Sequence, residues 1–69
     1  MKMFTAVIER DVDTSLYVGY VPGFVGAHSQ GETLDELREN LREVIEMLLE
    51  DQVLPSRSEF VGTQMIAIA

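Results

Sequence analysis

The chain is 69 residues long, carries 12 acidic against 5 basic residues, and has a formal net charge of −7. Such a balance argues against nucleic-acid binding, which needs a basic surface to meet phosphates. The absence of cysteine removes disulfide staples and thiolate metal sites, and no apolar run approaches the ~20 residues that span a bilayer.

Domains of about 60 residues bury only about 60% of their unfolded surface. A single unstapled domain over residues 1–69 is therefore expected to gain stability by forming a homo-oligomer, a dimer or larger. Hydrophobic content of 46% suits a folded chain rather than a disordered one. Thr5 and the charged Glu9-Arg10-Asp11 interrupt any signal-peptide core after Met1-Lys2-Met3-Phe4, so a cytoplasmic location is expected. The acidic surface would suit a basic protein partner, or would simply keep a small protein soluble.

In chain order, residues 3–10 read as a first strand, with Phe4, Ala6 and Ile8 on one face. Asp11-Val12-Asp13-Thr14-Ser15 is a turn, because Asp, Thr and Ser side chains bond local backbone. Residues 16–21 return as a second strand, forming a hairpin in which Gly19 marks close approach of another chain segment. Pro22-Gly23 ends that strand, residues 26–30 form a short third one, and Gly31-Glu32 turns the chain into a helix.

Thr33-Leu34-Asp35-Glu36 is a capping box: the Thr33 hydroxyl accepts from the backbone of Glu36, whose carboxylate reaches back. Leu34, Leu37, Leu41, Val44, Ile45, Leu48 and Leu49 recur at helical spacing. Asp35, Glu36, Glu39, Glu43, Glu46 and Glu50 collect on the other side, with Arg38 and Arg42 at the margin. Like charges massed on one face cost stability unless a partner neutralises them. Pro55 opens a connection, and residues 60–69, with Val61, Met65, Ile66 and Ile68, read as a last strand.

The predicted fold class is α+β, of order β-β-β-α-β. A right-handed crossover would set the last strand parallel beside the first, giving a four-stranded mixed sheet of order 3-2-1-4 with the helix on one face. One helix cannot cover both faces, so a second copy is expected on the open face or at the last strand's edge.

The run Val21-Pro22-Gly23-Phe24-Val25-Gly26, followed by His28-Ser29-Gln30-Gly31-Glu32-Thr33-Leu34-Asp35-Glu36, resembles the N-terminal domain of HicB-like antitoxins. Pro22, Gly26, Gly31, Thr33 and Glu36 match that family's pattern. Glu32 replaces its Asp, Val25 stands where a second Pro is usual, and Ala27 stands where Cys is common. The resemblance implies a curtailed ribonuclease H-like fold and the binding and occlusion of a small basic ribonuclease toxin. The contacts it suggests are Phe24 and Val25 in the loop and Glu36, Glu39, Glu43 and Glu46 on the helix. Full-length relatives add a C-terminal helix-turn-helix or ribbon-helix-helix domain. None is read in these 69 residues, so toxin binding without operator binding is the expectation.

No catalytic constellation is legible. His28 has no metal ligand or catalytic partner at useful spacing. Glu9, Asp11 and Asp13 are acidic, but nucleases of the ribonuclease H type place acids mid-strand, where this chain has Thr5, Ala6 and Val7. Ser15, Ser29, Ser56 and Ser58 lack the signature of an activated nucleophile. Gly23-x-x-Gly26 precedes no phosphate-binding loop, and Met47 and Met65 read as core filler. The sequence therefore points to a binding module without enzymatic activity or cofactor. A small metal-dependent nuclease and an oligomeric protein without a toxin are the alternatives.

Overall fold

The computed structural model describes all 69 residues. Three strands and one helix form: β1 (Val7–Arg10), β2 (Tyr17–Tyr20), β3 (His28–Gly31) and α1 (Leu34–Glu50). The sheet is antiparallel throughout, in the order β1-β2-β3. The class is α+β, as expected from the sequence.

The hairpin is set by its loop. Asp11 accepts from the backbone of Asp13 at 2.8 Å and of Thr14 at 3.2 Å through its carboxylate, and its own N–H donates to the Leu16 carbonyl at 2.8 Å. The resulting register pairs Ile8 with Gly19, and Gly19 with Ser29. β1 begins at Val7 rather than at residue 3, because its ladder ends where Val7 meets Tyr20. Beyond Tyr20 the partner strand turns away, with the Val21 N–H donating to the Ala27 carbonyl at 2.9 Å. β3 starts at His28 rather than residue 26 because Gly26 sits at φ 88°, inside that loop.

α1 starts where the capping residues place it. Thr33 is extended and its hydroxyl accepts from the Glu36 N–H at 3.0 Å. The Glu36 carboxylate returns to the N–H of Glu32 at 3.4 Å. At the far end Gln52 takes φ 62°, its N–H donates to Leu49, and that of Val53 donates to Leu48. These paired bonds form a Schellman close, which satisfies the last free carbonyls of the helix.

The helix packs over β3 and β2 and leaves β1 uncovered. Its Leu37, only 1% exposed, and Leu41 are buried with Val21, Phe24 and Ala27. Phe4, Ala6, Ile45, Leu48 and Leu49 close around this cluster, and the rings of Phe4 and Phe24 lie 5.7 Å apart. Gly19 leaves room for Leu37, since a Cβ there would stand 3.2 Å from Leu37 Cδ2.

The expected fourth strand at residues 60–69 does not form, and the sheet is neither four-stranded nor mixed. After α1 the chain is fastened once to the β2–β3 loop, where the Ser56 N–H donates to the Gly23 carbonyl at 2.6 Å. Residues 59–69 then make no backbone hydrogen bond. An apolar run becomes a strand only when an edge supplies its hydrogen-bond partners, and no edge of its own body does so.

Candidate interaction surface

Two surfaces stand out, one acidic and one apolar. On α1, at about 100° per residue, Glu46, Glu39, Glu50, Glu43 and Glu36 span roughly 80° of the solvent side, and all are exposed. The structure sorts them further. Arg42 lies between Glu39 and Glu46, donating to their carboxylates at 2.8 and 2.6 Å. The Arg42 hydrogen bond, reinforced by its charge, holds the Glu39 carboxyl below the ordinary glutamate value. Arg38 stands 3.7 Å from Asp35. Glu36 is engaged at the cap, whereas Glu43 and Glu50 have no ion pair, so these two project the least compensated charge.

The β2–β3 loop divides its two candidate residues. Phe24 is 3% exposed and belongs to the core, whereas Val25 is 87% exposed. Phe24 is therefore no contact residue; it positions the loop that presents Val25. Of the scaffold residues, Gly23 and Gly26 both hold positive φ, the left-handed region that glycine accepts without Cβ strain. Pro22 precedes them in that turn. Gly31 lies against the helix backbone and Thr33 caps it.

The apolar surface was not anticipated. A groove of about 760 Å³ opens between α1 and the start of the chain, lined by Met3, Phe4, Ile8, Leu34, Leu41 and Leu49 among others. Asp35, Arg38, Arg42 and Glu46 form part of its wall. Its sequence signal was the width of the helix's apolar arc, which exceeds what β2 and β3 alone can cover.

The remaining candidates do not converge. His28 is exposed on β3 opposite Tyr20. The Asp11 carboxylate is committed to the hairpin loop, while Glu9 sits exposed on β1. No three His, Asp or Glu side chains come together in a way that could hold a metal ion. Ser56 and Ser58 hydrogen-bond each other at 3.0 Å beside Gly23. No helix is long and apolar enough to cross a membrane.

The Pro22-Gly23 loop, Gly31 and the capped α1 all lie within residues 2–53, which match the model of the UPF0150-like family. The chain belongs to the UPF0150-like family. A UPF0150 protein of Synechocystis is 51% identical over 94% of this chain and 93% of its own length. UPF0150 proteins of Thermotoga maritima and Archaeoglobus fulgidus are 44% and 42% identical, covering 97% and 94% of this chain and 91% and 93% of their own lengths. No solved structure matches.

Proposed function

We propose that this UPF0150-like chain is a non-enzymatic, HicB-like antitoxin module that binds and occludes a small basic ribonuclease toxin in the cytoplasm. The observation that carries the reading is the ridge of five exposed glutamates on α1, beside a loop that offers Val25. A cationic toxin would be steered to this ridge, since complementary charge raises encounter rates and fixes orientation. Glu43 and Glu50 contribute most because no cation of their own chain pairs with them. Glu39 and Glu46 contribute less while Arg42 holds them.

The same reading holds that the sheet belongs to a curtailed ribonuclease H-like fold, with residues 60–69 as its fourth strand. Pro22, Gly26, Gly31 and Thr33 serve as scaffold for the loop and helix rather than as contacts.

Coexpression with any small basic protein encoded beside the gene tests this proposal. The pair should copurify, and RNA cleavage by the basic protein should stop in the complex. Glu39→Lys with Glu43→Lys should weaken binding about tenfold at low ionic strength, and less at high salt. Unchanged affinity of the double variant at low salt would remove the acidic ridge from the mechanism.

A further inference from the structure

β1 and β3 are the two edges of the sheet, and they are not alike. β3 lies under α1, whose Asn40 donates to the Gln30 carbonyl at 2.8 Å. β1 has no helix above it and borders the apolar groove instead. The place beside β1 therefore lacks both a strand and an apolar cover.

Residues 60–69 have the composition that place requires. They carry no charged side chain, and Val61, Ile66 and Ile68 are strongly exposed, as is Met65 at 99%. Phe60, Ile66 and Ile68 share one side of an extended strand, and Val61 and Met65 the other.

Their own body does not receive them. The tie from Ser56 to Gly23 holds the connection at the β2–β3 loop, and a Cβ on Gly62 would meet nothing within 4 Å. The radius of gyration is 13.5 Å, against about 11 Å for a compact chain of this length. The longest dimension reaches 46 Å, against a shortest of 19 Å.

We propose that residues 60–69 pair as a fourth strand with the β1 edge of a second copy, which returns its own segment in a two-fold exchange. The segment would enter the partner's groove with Phe60, Ile66 and Ile68, leaving Val61 and Met65 beside Val7 and Val18 of the other face. Exchange of identical elements closes a dimer by one repeated, self-complementary contact. The segment carries no charged side chain, so its own approach to a partner of net charge −7 meets no side-chain repulsion. The exchange specifies how the chain would oligomerise and does not depend on toxin binding.

The test combines hydrodynamic mass with cross-linking in the full chain. Sedimentation equilibrium should give an even multiple of 7.7 kDa, falling to a single chain for Ile66→Lys with Ile68→Lys. Because the natural chain has no cysteine, Glu9→Cys and Met65→Cys can be made singly, unfolded together, refolded as a mixture and treated with a short bismaleimide. A cross-linked dimer should form in the mixture and not in either variant alone. A monomeric wild type would overturn the proposal. So would a mixture that gives no inter-chain product while the double Cys variant links only within one chain.

Discussion

Gly31 and Leu37 approach so closely that a Cβ on Gly31 would stand 2.6 Å from the backbone nitrogen of Leu37. The obstacle is helix backbone, held by the Leu37 N–H bond to the Thr33 carbonyl at 2.9 Å, so it cannot swing aside as a side chain could. Gly31→Ala should therefore cost about 3 kcal/mol, the upper end for overpacking. Urea denaturation followed by circular dichroism measures it. A loss below about 0.5 kcal/mol would show that the helix start shifts freely.

Leu37 is the deepest large side chain and touches the sheet over Gly19. Leu37→Ala should cost about 2–5 kcal/mol, enough to unfold a domain this small at 37 °C. Met47, exposed on the same helix, supplies the control, because Met47→Ala should leave the denaturation midpoint nearly unchanged.

Gln52 closes α1 in the left-handed region at φ 62°, which costs an L-residue about 1 kcal/mol. Gln52→Gly should raise stability by roughly 0.5–1 kcal/mol. The opposite cap predicts the opposite sign: Thr33→Ala should lower stability by about 1 kcal/mol. Thermal melts of the two variants should bracket the wild type.

Glu39 supplies a pH dependence with a definite sign. Arg42 depresses its folded-state pKa, so the stabilisation is present above the unfolded glutamate value, about 4.3, and is lost as pH falls through the lower folded value. The pair is exposed, so the effect should be small and should fade with salt. Carboxyl titration by NMR should find Glu39 depressed in the wild type and moved upward in Arg42→Gln. An unaltered Glu39 titration in that variant would remove Arg42 as the cause.

The residues that act locally were legible in the sequence. Thr33 and Glu36 set the helix start, Asp11 set the hairpin loop, and Leu37 and Leu41 announced a buried helix face. Each depends on hydrogen bonds or periodicity within a few neighbouring positions. Gly19 marks a close approach within the sequence, and Leu37 is what approaches it.

Tertiary placement decided the rest. Phe24 and Val25 are adjacent in sequence, yet one is buried against Phe4 and the other faces water, because the loop's turn aims them apart. The six acids of the helix looked equivalent until Arg42 took up Glu39 and Glu46. Residues 60–69 show the division most plainly. Their apolar, β-branched composition determined that they should be a strand. Whether they become one depends on an available edge, and hydrogen bonds to an edge are a property of two segments that no single segment's sequence contains.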